Sequence, residues 1–226
     1  MMRKIISSII SFVIFSMSYA WPVLGQENLK QLYKQIKPSV VTIITYRETG
    51  WFAIGSGFFV KKEGLNLATN RHVVEGASII AVKTAEGEIY KVGARLEAED
   101  YDLALLEVNI PASKVKALIL SKNLPEVGET VAVVGAPQGF EQTLSRGIIS
   151  QIRTITGHGP VLQMDAPISK GSSGGPVINM NGEVVGIATY IWKGGQNLNF
   201  AIPATILHGM IPDAKDERLF RQFLDK

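Results

Sequence analysis

Gly171-Ser172-Ser173-Gly174-Gly175-Pro176-Val177-Ile178-Asn179-Met180-Asn181-Gly182-Glu183-Val184-Val185-Gly186-Ile187 is the stretch on which the fold turns. Its first five residues fit the pattern G-x-S-x-G, a serine on a strained turn that in doubly wound α/β proteins must open a helix. No helix can follow here. Pro176 ends the loop, Val177 and Ile178 begin an apolar run, Asn181-Gly182 predicts a type I′ hairpin turn, and Val184–Ile187 is a second apolar run. A hairpin directly after the serine loop excludes the α/β elbow, and with it Glu183 and His208 as its acid and base. Taken alone, the glycines and serines read as a turn or a flexible linker.

The same texture repeats outward from the hairpin. Runs rich in Val, Ile, Thr and Phe predict strands at Val40–Tyr46, Gly57–Val60, Leu65–Thr69, Ile79–Thr84, Ile89–Leu96 and Leu103–Val108. Further strands are predicted at Thr130–Val134, Leu144–Ile152, Val161–Met164, Val177–Asn179, Glu183–Thr189 and Leu198–Ile202. Short strands without long helices between them predict an all-β fold of two antiparallel six-stranded β-barrels, with short N- and C-terminal helices. The span Pro111–Glu126 is the least strand-like interior piece. It divides an N-terminal barrel at 37–110 from a C-terminal barrel at 127–203, with a linker at 111–126. Leu29, Leu32, Tyr33 and Ile36 share one helical face in the segment 21–36, and that helix stops before Pro38. In the tail 204–226 a small helix follows Pro203, and Leu219, Phe220, Phe223 and Leu224 again fall at helical spacing.

At the start, Arg3 and Lys4 precede an apolar run from Ile5 to Met17 and the small-x-small tripeptide Ser18-Tyr19-Ala20. That layout predicts a secretory signal peptide over residues 1–20, with Gly25 as a second cleavage site and export to the periplasm or medium. The competing reading is an uncleaved membrane anchor. Loss of Arg3 and Lys4 brings the formal net charge of +3 close to neutrality, so nothing asks for nucleic acid or an anionic membrane. The chain has no cysteine, which excludes disulfides, thiol nucleophiles and thiolate metal sites. Three histidines without HxxH or HExxH spacing argue against a metal hydrolase. No cofactor and no metal are expected.

A serine nucleophile needs a base to take its proton, and the base needs a carboxylate to fix its tautomer. His72 follows the strand at Leu65–Thr69, where an apolar run gives way to a short turn; His158 lies between glycines at a loop tip, and His208 in the helix after the barrel. Only His72 has a fitting context. Asp102 leads directly into the apolar run Leu103–Leu106, so it is partly buried and must have a partner, whereas Asp100 reads as a turn cap. The order His72, Asp102, Ser173 is that of chymotrypsin-like proteins and not that of subtilisins or α/β-hydrolases.

Thr69-Asn70-Arg71-His72-Val73-Val74, Tyr101-Asp102-Leu103-Ala104-Leu105-Leu106 and Gly171-Ser172-Ser173-Gly174-Gly175-Pro176 resemble the three catalytic blocks of the HtrA/Deg family of trypsin-like serine proteases. Gly55–Val60, Val133–Gly139, Ser145–Ser150 and Asn199–Pro203 resemble its intermediate blocks, so the likeness runs from roughly Leu29 to Pro203. The resemblance implies Ser173 as nucleophile, His72 as general base and acid, and Asp102 as its orienter. It implies an oxyanion hole from the N–H groups of Gly171 and Ser173. It also implies that Ile168 and Ile191 line the pocket for the residue before the scissile bond, which favours a modest apolar side chain. Substrates would be peptides or unfolded exported proteins, and relatives use the region of the helix Asn28–Ile36 in trimer contacts, so a homo-oligomer is one expectation. Ser172 departs from the family's Asn and from the Asp of digestive trypsins, which removes a zymogen-style ion pair. The chain ends too soon for a PDZ domain, and the loop Arg47–Ile54 is short. The runner-up reading is a protease-like peptide-binding protein whose chemistry is silent.

Overall fold

The computed structural model describes residues 24–61, 63–136, 142–155, 159–191 and 198–211, with side chains from Asn28 onward except those of Leu65, Tyr190 and Ile191. The predicted signal peptide, the helix proposed near Leu219–Leu224 and His158 lie outside the described residues.

Six strands close the first barrel: β1 (Val40–Tyr46), β2 (Phe52–Phe59), β3 (Leu65–Thr69), β4 (Ile79–Lys83), β5 (Ile89–Glu97) and β6 (Ala104–Val108). Their order is β1-β2-β3-β6-β5-β4, with β4 returning to pair antiparallel with β1. The first hairpin is longer than the sequence predicted, because β2 begins at Phe52, opposite Tyr46, and not at Gly57. Its early residues Phe52 and Ile54 are exposed, so no buried alternation marks them as strand.

The second barrel uses β8 (Thr130–Gly135), β9 (Thr143–Ile155), β10 (Gly159–Met164), β11 (Pro176–Asn179), β12 (Glu183–Ile191) and β13 (Asn199–Pro203). Pairing runs β11-β8-β9-β10-β13-β12, and the β11–β12 hairpin closes the ring. The linker, the least strand-like piece of the interior by sequence, contains β7 (Ile119–Leu120), which pairs parallel with the start of β12 through Glu183↔Ile119 and Val184↔Leu120. A two-residue strand gives no periodicity to read. The turn of the β11–β12 hairpin also differs from expectation. A type I′ turn needs two consecutive positive φ angles. Here Gly182 alone has one (86°), and its N–H donates to the Asn179 carbonyl at 3.0 Å. The loop is the three-residue form with glycine in the left-handed position.

Val41, Ile43, Phe59, Leu67, Val82, Ala104 and Leu106 fill the first barrel, and Val131, Val133, Ile149, Leu162, Met164 and Val177 the second. Between the barrels lies a third cluster in which Phe58, Leu103 and Leu105 of the first meet Val134, Ile178 and Ile187 of the second. Alternation explains the sharing: adjacent strand residues point to opposite faces, so Phe58 and Leu105 face the neighbour while Phe59 and Leu106 face inward. Helix α1 (Leu24–Ile36) adds Leu32 and Ile36 to this cluster, as its apolar face predicted, and α3 (Ala204–Met210) adds Leu207. The Tyr33 hydroxyl fastens α1 to the second barrel by donating to the Gln142 carbonyl at 2.7 Å.

Candidate active site

β3 ends at Thr69, and the chain passes through Asn70 into the one-turn helix α2 (Arg71–Val74). Val73 and Val74 are buried against the first barrel, which leaves His72 on the outer side with its side chain 49% exposed. A helix this short cannot satisfy its own end groups. Arginines do so instead. Arg47 donates to the carbonyls of Glu75 (2.9 Å) and His72 (3.5 Å), and Arg95 to those of Val74 (2.9 Å) and Ala77 (3.1 Å). Arg71 reaches the Ala98 and Glu99 carbonyls at 2.9 and 3.0 Å, tying α2 to the loop that carries Asp102.

That loop brings Asp102 to His72. Oδ1 accepts the His72 backbone N–H at 2.9 Å, and Oδ2 lies 2.7 Å from the ring Nδ1. Asn70 holds the loop from below, its side-chain amide donating to the Asp102 carbonyl at 2.8 Å. Burial alone would push the Asp102 carboxyl above the usual range. The His72 side chain, its charge and backbone N–H, and the hydroxyl of Thr189 more than offset that, and hold it below.

Thr189, on β12, joins this pair to Ser173. Its hydroxyl donates to Asp102 Oδ2 at 2.8 Å, and its carbonyl accepts the Ser173 hydroxyl at 2.9 Å. Ser173 Oγ is thus directed at the Thr189 carbonyl and not at His72. The sequence reading missed Thr189, since a threonine in a β-branched strand carries no mark of a partner 87 residues away.

The serine loop is braced from the first barrel by Ser56 of β2. The Ser56 N–H donates to the Ser173 carbonyl at 2.8 Å, and its hydroxyl donates to the Gly171 carbonyl at 2.6 Å while accepting the Ala136 N–H at 2.8 Å. Ser56 stood in a recognisable Gly-Ser-Gly block, but only the fold brings it to the loop. Gly174 must be glycine: its φ is +85°, and an added Cβ would lie 2.1 Å from the Ser56 carbonyl oxygen and 2.3 Å from Thr69 Oγ1. Within the loop the N–H groups of Ser172, Gly174 and Gly175 donate to the carbonyls of Ser169, Ala188 and Ser172. Among the described residues, those of Gly171 and Ser173 have no such partner.

Ile168 packs against the second-barrel core and lines a cavity of about 190 Å³ behind the serine loop, with Val133, Ser145 and Ser172 among its other walls. Ile191 ends β12 opposite Asn199; its side chain is not among those described. His208 lies on α3. Among the described residues no cluster of His, Asp or Glu could hold a metal ion. No helix there is long and apolar enough to cross a membrane.

A sequence profile of the trypsin-like peptidase domain matches residues 55–187, which takes in His72, Asp102 and Ser173. The chain belongs to that family. Among its relatives is a probable periplasmic serine endoprotease, DegP-like, from Rhizobium meliloti, 37% identical over 76% of this chain and 35% of its own. Another is the serine protease HTRA1A of Danio rerio, 31% identical over 83% of this chain and 41% of its own. A crystal structure of the serine endoprotease from Yersinia pestis superposes with a TM-score of 0.71 at 30% identity, covering 80% of this chain and 64% of that one. The trypsin-like likeness therefore extends to the two-barrel architecture and to the HtrA/DegP branch. The chain spans little more than a third of the length of these two curated relatives.

Proposed function

We propose that this trypsin-like chain is an exported serine endopeptidase that cleaves unfolded or extended polypeptides through a covalent acyl-enzyme. The observation that carries the reading is the hydrogen-bonded series His72–Asp102–Thr189–Ser173, which spans both barrels. Asp102 accepts the His72 Nδ1–H and leaves Nε2 with the lone pair a base requires. Ser173 Oγ, turned from the Thr189 carbonyl toward Nε2, attacks the scissile carbonyl carbon as its proton passes to His72. The oxygen that becomes negative is met by the N–H groups of Gly171 and Ser173. Each such donor contributes roughly 10²–10³ in rate. His72 then gives its proton to the leaving nitrogen, the C–N bond breaks, and an ester on Ser173 remains. Water, deprotonated by His72, hydrolyses that ester and restores the serine.

No acid stands at Ile168 or Ile191, so the residue before the cleaved bond is a modest apolar one (Val, Ala, Ile or Leu). The substrate lies extended along the cleft as an added strand. Export to the periplasm rests on the leader-like N-terminus and on relatives named as periplasmic. A homo-trimer through α1 belongs to the same reading.

One observation favours a silent, peptide-binding protein: the Ser173 hydroxyl donates to Thr189 and not to His72. A fluorophosphonate reagent with mass mapping separates the two readings. Labelling confined to Ser173, and loss of both labelling and peptide hydrolysis in Ser173→Ala, is expected of the protease. Hydrolysis that survives Ser173→Ala sinks the mechanism; a wild-type chain that neither labels nor cleaves is the binding protein.

A further inference from the structure

The first barrel has two ends. His72 and Asp102 stand where β3 finishes and β6 begins. At the opposite end, where β2 and β4 finish and β1 and β5 begin, is a cavity of about 420 Å³ lined by Pro38, Phe59, Thr84, Glu86, Glu88, Ile110 and Lys114. Its size falls within the roughly 300–1,000 Å³ of small-molecule sites, and its make-up resembles theirs: an apolar floor with a few polar groups. Pro38, Phe59 and Ile110 supply the floor.

Two features mark it as more than a gap in packing. Thr84 is 6% exposed, and its Oγ1 has no hydrogen-bond partner, although a hydroxyl both donates and accepts. Buried polar atoms left unmet are rare in folded proteins. Among the described residues, the lining also carries two carboxylates against one ammonium. The Lys114 ammonium pairs with Glu88, whose other oxygen accepts the Tyr90 hydroxyl at 3.0 Å. Hydrogen bonds from Lys114, then Tyr90, hold the Glu88 carboxyl below its usual value, so it stays ionised. Glu86 adds a second carboxylate, and among the described residues the lining holds no second cation.

We propose that this cavity binds a primary ammonium group carried on an apolar body. The ammonium sits at Glu86, the body covers Phe59 and Ile110, and a polar group next to it meets Thr84. Such a cation has two sources, a free amine or the amino terminus of a peptide. Every peptide bond a protease hydrolyses releases a new amino terminus, so products of the proposed activity belong to the second source. The site itself stands whether or not that activity does.

Calorimetric titration of the full chain at neutral pH tests this with 2-phenylethylammonium and with the amide of Phe-Gly-Gly as ligands. The controls are 2-phenylethanol and phenylacetate. At least one cation should saturate a single site, with amide NMR shifts at Thr84 and Ile110, and phenylacetate should not bind. Glu86→Gln should weaken binding roughly tenfold, the order of a lost charge-assisted hydrogen bond. Thr84→Val should weaken it as well. Glu86 is exposed, so Glu86→Gln keeps its fold whatever Thr84→Val does. Binding of the amine alone identifies small amines as the ligand, and of the peptide alone, amino termini; either upholds the site. Failure of both cations, unchanged affinity in Glu86→Gln or in a folded Thr84→Val, or equal binding of phenylacetate overturns it.

Discussion

Thr189 gives its hydroxyl to Asp102 Oδ2 at 2.8 Å, across the boundary between the two barrels. Since the Thr189 carbonyl also receives the Ser173 hydroxyl, one residue of β12 touches the acid by its side chain and the serine by its backbone. The two contacts can be separated by mutation, because only the first depends on the side chain.

Thr189→Val removes the hydroxyl and keeps both the shape and the carbonyl. Asp102 then loses one donor, which is worth about 1–3 kcal/mol for a bond to a charged group. A fall in kcat of about tenfold or more with little change in KM is expected in peptide hydrolysis, with recovery in Thr189→Ser. A change confined to KM would place Thr189 in substrate binding instead.

The pH dependence of stability follows from Asp102. Its folded pKa lies below its unfolded one, so its contribution is complete above the ordinary carboxylate range. That contribution fades as the pH falls from there through the depressed folded value. Denaturant unfolding across this window should show wild type losing stability toward acid more steeply than Asp102→Asn, which has no carboxyl there to protonate. Identical slopes in the two proteins would remove Asp102 as a source of acid lability.

Arg95→Ala tests the arginine capping of α2. It takes one of two donors from the Val74 carbonyl, which keeps the Ala77 N–H at 3.1 Å, and removes the arginine from the Ala77 carbonyl and from the Glu97 carboxylate, whose ion pair is 3.1 Å. A loss of about 1 kcal/mol is expected from the lost hydrogen bonds. Hydrogen exchange should rise first in 71–77, and kcat should drop more than KM changes. The contacts of Arg95 are to Val74, Ala77 and Glu97, so a large KM effect would contradict a positioning role.

Gly174→Ala places a methyl where the Ser56 carbonyl and Thr69 hydroxyl already stand, at a φ that disfavours any Cβ. Destabilisation of several kcal/mol and loss of fluorophosphonate labelling are expected, within the range of overpacked and strained sites. Retention of wild-type labelling would mean that the loop has a second arrangement able to take the methyl.

The sequence was most informative where chemistry and pattern are local. Alternating β-branched runs located the two barrels because each strand buries one face, and the apolar run after Asp102 singled it out over Asp100 as the candidate partner of His72, beside which it lies. The edges of elements were less legible. Phe52 and Ile54 extend β2 on its exposed face, and Ile119–Leu120 is too short to show a period. Asn181-Gly182 signals a hairpin by composition, yet composition alone does not say whether one or two residues adopt positive φ. Least legible were Thr189 and Ser56, whose roles depend on contacts made between barrels. Thr189 lies 87 residues from Asp102, and Ser56 lies 115 from Gly171.

The shared cluster of Phe58, Leu103 and Leu105 with Val134, Ile178 and Ile187 bears on the order in which the chain is made. His72 and Asp102 leave the ribosome roughly a hundred residues or less ahead of Ser173, and Thr189 comes later still. The first barrel can close early, but it then exposes an apolar flank that only the second barrel covers. Until β12 and β13 arrive, Ser173 lacks its Thr189 partner and the strands that close its barrel, and the apolar flank stays uncovered. On the proposed reading, a nascent hydrolase therefore stays inactive until β12, which carries Thr189, has been made and docked.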